Sequence, residues 1–147
     1  MKHIEREHTI EIALPVAEAF PLFTPLGEMR WIDDWRPEFI HPADGETMEG
    51  MVFKTGAGTE ETLWSCIDYA PAEHRIRYAR VTPASRFAHV SVNCTQIGSN
   101  STRVAVNYAM TALNAAGEAK LAATTEDAFR ASIEGWKTLI QTRIIEG

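Results

Sequence analysis

The chain has 147 residues, 45% of them hydrophobic and 23% charged. That fits a single domain, residues 1–147, able to bury its own core without a metal or disulfide staple. A net charge of -6 and a pI near 5.3 exclude a nucleic-acid binder, whose phosphate contacts require a basic surface. The first residues, Met-Lys-His-Ile-Glu-Arg-Glu-His, are charged where a secretion signal needs an apolar stretch, and no apolar run is long enough to enter a membrane.

Residues 3–12 alternate, with Ile4, Arg6, His8, Ile10 and Ile12 on one face and Glu5, Glu7, Thr9 and Glu11 on the other. A period of two with an acidic outer row predicts a half-buried strand. Pro15 opens a short helical pattern carrying Val16, Ala19, Phe20 and Phe23. Thr24-Pro25 ends it, and Leu26–Trp31 predicts a second short helix. The tryptophan-rich stretch Arg30–Pro37 follows. Glu38–His41 and Met51–Thr55 read as short strands, and Gly56-Ala57-Gly58 as a hairpin turn. No helix pattern follows those glycines, so they are not a phosphate-binding loop.

Four longer strands are predicted at Glu61–Tyr69, His74–Val81, Phe87–Ile97 and Thr102–Ala112. Ala70-Pro71, Pro83-Ala84-Ser85 and Gly98-Ser99-Asn100-Ser101 separate them. Such short, turn-forming connections make consecutive strands antiparallel neighbours. Ile76, Tyr78 and Arg80 share one face, as do Val90, Val92 and Cys94, and Val104, Val106, Tyr108 and Met110. Past Gly117 the period lengthens: Leu121, Thr125, Phe129, Ser132, Ile133, Trp136, Leu139 and Ile140 recur at helical steps. One long helix is expected, starting near Asn114–Glu118. The fold class is therefore α+β: a curved seven-stranded antiparallel sheet around a long C-terminal helix, with two short helices between strands 1 and 2. A twisted sheet cannot close tightly on a single helix, so a cavity is expected between them.

That order of elements, with the phrase Phe20-Pro-Leu-Phe-Thr-Pro-Leu-Gly-Glu-Met-Arg-Trp-Ile-Asp-Asp-Trp and the strand Thr102-Arg-Val-Ala-Val-Asn-Tyr, resembles the START-like superfamily, also called SRPBCC or helix-grip proteins. Pollen allergens, polyketide cyclases, lipid-transfer domains and chaperone-ATPase activators share that fold. The resemblance covers the whole chain. It implies a hydrophobic pocket between sheet and helix, a small apolar or aromatic ligand, and no metal or tightly held cofactor.

The residues themselves offer candidates of unequal standing. Trp31, Trp35, Trp64 and Trp136 combine apolar area with one N–H, which suits a ligand-contacting wall or plain core. Met110 and Phe129 lie on the faces that should line the same cavity. Arg80 faces inward by alternation and needs a counter-charge, for which Glu61, Asp33, Asp34 or a ligand carboxylate or phenolate qualify. A strand-end side chain reaching water is the competing reading. His8, Tyr78, Arg80 and Tyr108 are the weak catalytic candidates for a cyclase or aromatase that moves protons and stabilises an enolate.

The five histidines show no metal-ligand spacing. Cys66 and Cys94 read as reduced core thiols of a cytoplasmic protein. Three functions stay open at this point: a carrier or sensor of a small hydrophobic molecule, a cyclase acting in the same cavity, or a protein-interaction module. The tryptophan segment suits a dimer contact as well as a pocket rim, so a homodimer also stays open.

Overall fold

The structure, a computed structural model, describes residues 2–147. Seven strands form one antiparallel sheet: β1 (His3–Ile12), β2 (Glu38–His41), β3 (Val52–Thr55), β4 (Thr62–Ala70), β5 (Arg75–Thr82), β6 (Arg86–Gly98) and β7 (Ser101–Ala112). Their spatial order is β1-β7-β6-β5-β4-β3-β2. Every neighbour pair except β1–β7 is a sequential hairpin, and the first strand returns to pair with the last. The four long strands begin and end within about one residue of the turn signals, because glycine, proline and serine in those turns leave the ladder little room to slip.

Between β1 and β2 the chain forms α1 (Val16–Ala19), a 3-10 turn (Phe20–Phe23) and α2 (Pro25–Glu28). Thr24-Pro25 does more than end the first helix. The Thr24 hydroxyl accepts the Gly27 amide at 3.0 Å and Pro25 takes the first helical position, so the second helix begins one residue earlier than expected and ends by Glu28. Gly27 is obligatory at its position. A Cβ there would sit 1.8 Å from the Pro21 carbonyl oxygen, so only a bare backbone allows this approach.

The C-terminal helical stretch is interrupted at Thr124-Thr125. It divides into α3 (Ala115–Ala123), which packs on β7, and α4 (Glu126–Ile140), which packs on β1. Asn114 caps α3 by accepting the Gly117 amide, and the Thr125 hydroxyl caps α4 by accepting the Ala128 amide at 3.1 Å. Glu126 and Asp127 then complement the positive end of α4.

The main core joins the concave sheet face to α4 and the short helices, with Phe23, Trp31, Phe53, Ile76, Val104, Val106, Ile133 and Ile140 all essentially inaccessible. A second, smaller core under α3 holds Ile4, Ala88, Met110 and Leu121. Among the described residues no helix is long and apolar enough to cross a membrane.

Candidate functional site

Strand register decides what faces the helices. One inward row across the sheet reads Trp64, Arg80, Ala88, Met110, Ile4, and the next reads Cys66, Tyr78, Val90, Tyr108, Arg6. Ala88 is small, so the Arg80 side chain can lean diagonally toward Tyr108. Its guanidinium carbon lies 5.0 Å from the Trp64 ring centroid and 5.1 Å from that of Tyr108. Two aromatic faces thus hold a cation whose backbone is sealed on both sides by β4 and β6.

Among the described residues no carboxylate pairs with Arg80. Asp33, one of the partners expected for it, pairs instead with Arg143 at the end of the C-terminal helix, and Asp34 and Glu61 point to solvent. The acidic groups coupled to the field of Arg80 are Glu28, at the end of α2, and Glu60. Burial holds the Glu28 carboxyl well above the usual carboxylate range, with the field of Arg80 opposing only in part. Burial likewise pulls Arg80 below its ordinary value, partly offset by Tyr108 and Glu28, while Arg86 adds to the pull. The hydroxyls of Tyr78 and Tyr108 are both pushed up by burial. Arg80, Glu28 and Tyr108 nevertheless keep partial access to solvent. Arg80 and Tyr108 face the concave side of the sheet.

The remaining candidates divide between the surroundings of Arg80 and other tasks. Trp64 forms a wall beside Arg80, anchored by an Nε1–H bond to the Thr55 hydroxyl and standing edge-on to Trp35 at 5.5 Å. Trp35 in turn donates to the Pro25 carbonyl. Phe129 of α4 covers Tyr108 with a ring separation of 5.0 Å. Tyr78 borders Trp64, but its hydroxyl is committed to the Phe23 carbonyl at 2.9 Å.

Trp31 and Trp136 do not form an open rim. They meet at 5.8 Å, both against Phe23, and Trp31 is 1% exposed with its N–H donated to the Leu22 carbonyl. Three rings, Trp31 edge-on to the other two, close that end of the gap. Met110 lies apart in the small core under α3. His8 faces α4 and bonds Glu134 at 2.6 Å, so it does not join Arg80.

A groove of about 740 Å³ lies at the β1 side of the molecule, lined by Glu5, Arg6, Glu7 and His8, by the first turns of α4, and by His89 and Asn107 on the outer sheet face. Tyr108 belongs to both this groove and the Arg80 cluster. The gap expected between sheet and helix is packed shut at the Trp31 end, and the groove along β1 reaches Tyr108. The thiols are inert, burial pushing Cys66 up to about 11 and Cys94 up to about 12. Among the described residues no group of three or more His, Cys, Asp or Glu is placed to hold a metal ion.

The sequence model of the family described as "Polyketide cyclase / dehydrase and lipid transport" matches residues 3–141. The chain belongs to this family. Membership supports a ligand-binding or cyclase-type role and a small hydrophobic ligand. No curated protein matches the sequence.

Solved structures of the START-like fold are similar at low identity. Norcoclaurine synthase from Thalictrum flavum superposes with a TM-score of 0.70 at 11% identity, over 99% of this chain and 88% of that one. A START superfamily protein from Mycobacterium smegmatis gives 0.68 at 10% identity, over 99% of both chains. The di-domain ARO/CYC protein BexL of the BE-7585A biosynthetic pathway gives 0.68 at 16% identity, over 94% of this chain and 46% of that one. At these identities the likeness shows a shared fold.

Glu28 escapes a reading of the sequence. A four-residue helix shows no periodicity, and an acidic residue in such a helix ordinarily faces water. The signal available was local: a threonine cap before Pro25 and a glycine just ahead of the glutamate.

Proposed function

We propose that the protein binds one small aromatic or apolar molecule bearing a single anionic or strongly polar oxygen group, on the concave side of the sheet, with Arg80 as its anchor. The observation that carries this reading is a guanidinium held between the faces of Trp64 and Tyr108 without a carboxylate partner. A buried cation is costly unless it is paired, and a ligand oxyanion would complete the pairing that the chain leaves open. Trp64, Trp35, Tyr108 and Phe129 supply the aromatic walls for the rest of the molecule.

The test is native mass spectrometry of freshly purified protein, combined with thermal shifts against a panel of aromatic carboxylates and phenols. A one-to-one adduct or a saturable rise in Tm is expected, since a ligand at about 100 times its Kd adds roughly 2.7 kcal/mol of stability. Arg80→Leu should abolish it. A panel that shifts the wild type and the Arg80 variant alike would refute the anchor.

A second reading has its own support: a carboxyl at Glu28 and a hydroxyl at Tyr108, both pushed up by burial, in the field of Arg80. That set suits enolisation of a carbonyl compound: the Glu28 carboxylate, made more basic by burial, takes the proton from the carbon next to the carbonyl, Arg80 stabilises the enolate oxygen, and Glu28 returns the proton to carbon. Deuterium exchange at the acidic carbon of a β-diketone, followed by NMR, separates this cyclase-type enzyme from a carrier. Acceleration by wild type that Glu28→Gln removes favours the enzyme, and an uncatalysed rate favours the carrier.

A further inference from the structure

We infer that the outer face of the sheet is a self-complementary surface that docks a second copy of this chain, the acidic column of β1 meeting the basic column of β5. The acidic row on β1 faces away from the helices, and strand register carries that outward face across β7, β6 and β5 in rows of four. The central row reads Glu7, Asn107, Ser91, Arg77. The row beside it reads Glu5, Ala109, His89, Ala79.

The two ends of the central row carry opposite charges that the chain leaves unpaired. Glu5 reaches His3 and Glu11 reaches Arg103, whereas Glu7 meets no cation among the described residues. Arg75 is held by Asp68 and Glu73, whereas Arg77, two residues on, meets no carboxylate among the described residues. Both Glu7 and Arg77 are exposed. They stand three strand spacings apart, roughly 14 Å.

A twofold axis parallel to the strands, running between β7 and β6, lays two such faces together. It sets β1 over β5 of the second copy, and β7 over its β6. Glu7 then opposes Arg77, and Asn107 opposes Ser91, each twice by symmetry. Shape agrees with charge. In the next row His89 opposes Ala109, and on the other side Asn93 opposes Ala105, larger against smaller each time. Glu7, Arg77, His89 and Ala109 all line the groove of about 740 Å³, so the partner's His89 enters space that a single copy leaves open. A partner of one charge sign would be repelled at one end of the central row. A second copy is attracted at both.

Four strands with four outward residues each supply about sixteen residues a side, short of the roughly 20–30 of a standard interface. The dimer is therefore weak, and salt screens its exposed charges. Arg80 and Tyr108 face the opposite side of the sheet, so this pairing stands or falls independently of the ligand anchor.

Sedimentation velocity of the full chain over a concentration series tests it. In about 20 mM salt a reversible dimer with a Kd on the order of 10–100 μM is expected, and about 500 mM salt should weaken it by at least about tenfold. Glu7→Arg and Arg77→Glu should each be monomeric throughout, because like charges then meet twice. An equimolar mixture of the two variants should dimerise again, since a row positive at both ends faces one negative at both ends. Both positions are exposed, and circular dichroism reports that each variant has folded.

A wild type that stays monomeric in low salt overturns the inference and leaves the groove to another occupant. A dimer that survives both single variants places the contact on another face and overturns it too. So does a mixture that fails to restore the dimer.

Discussion

Arg6 and Arg80 lie on the same concave face and give the same sequence signal, a cation inside an alternating apolar row. Their surroundings differ completely. Arg6 sits on the edge strand β1, donates its Nε–H to the Thr124 carbonyl at 2.9 Å and a terminal N–H to the Glu5 carbonyl at 3.0 Å. It thereby satisfies a carbonyl at the C-terminal end of α3, where the helix dipole favours positive charge. His8 repeats the pattern two residues on, through Glu134 of α4. Arg80, in mid-sheet, meets two aromatic faces and no carboxylate partner. A cation bonded to backbone carbonyls fastens the fold, whereas one held between rings without a carboxylate partner is available to something else.

The sharpest way to break the contrast is to remove each cation and measure ligand affinity. Arg80→Leu should lower affinity for an aromatic monoanion by about 30- to 100-fold, the loss of a charge-assisted bond of roughly 2–3 kcal/mol. Arg6→Leu should change it by less than about threefold, a few tenths of a kcal/mol. Isothermal titration calorimetry with one aromatic carboxylate measures both. Equal losses would mean that the ligand sits in the groove along β1.

Stability should reverse the ranking. Arg6→Leu removes two bonds from a charged donor and frees the junction of α3 and α4, at a cost of about 1–2 kcal/mol. Arg80→Leu should stay within about 1 kcal/mol of wild type, because relief of a desolvated charge offsets the lost ring contacts. Urea denaturation at matched m-values decides the point.

The two arginines also show how far the sequence was legible. Alternation placed both side chains inward, and turn residues set the long strand boundaries to about one residue. Neither could say what each cation meets, since partners come from elements distant in the chain: Thr124 for Arg6, Glu28 and Tyr108 for Arg80. The break at Thr124-Thr125 was hidden for a related reason. Apolar residues from Leu121 to Phe129 keep helical spacing across it, and that spacing outweighed the cap signature of Thr125 followed by Glu126 and Asp127. The indoles of Trp31 and Trp136 suggested a rim but pack against each other, because composition reports aromatic area and not whether rings meet a ligand or one another.

A pH titration of stability sharpens the role of Glu28 independently of any ligand. Its carboxyl is raised in the folded state, so the folded chain holds a proton that the unfolded chain has already released. Stability is therefore highest below the ordinary glutamate range and falls as pH rises toward the folded-state value, then levels. The slope within that window is about 1.4 kcal/mol per pH unit. Glu28→Gln should lack this component and become the more stable protein at the alkaline end. Denaturation curves at stepped pH test it, and identical profiles for both proteins would place Glu28 in ordinary solvent.

The smallest expected effect is the most informative about chemistry. Tyr108→Phe keeps the ring over Arg80 and against Phe129 while deleting only the hydroxyl. If the ring's negative face is what holds the guanidinium, anion affinity should change by no more than about threefold, well below the 1 kcal/mol scale of the cation–ring contact itself. Tyr108→Leu, which removes the ring, should cost more than Tyr108→Phe. If the order is inverted and the phenylalanine variant binds as poorly as Arg80→Leu, the hydroxyl is the group that touches the ligand. The Tyr108 hydroxyl would then touch the substrate oxygen, and the balance would move from a carrier toward an enzyme that transfers protons.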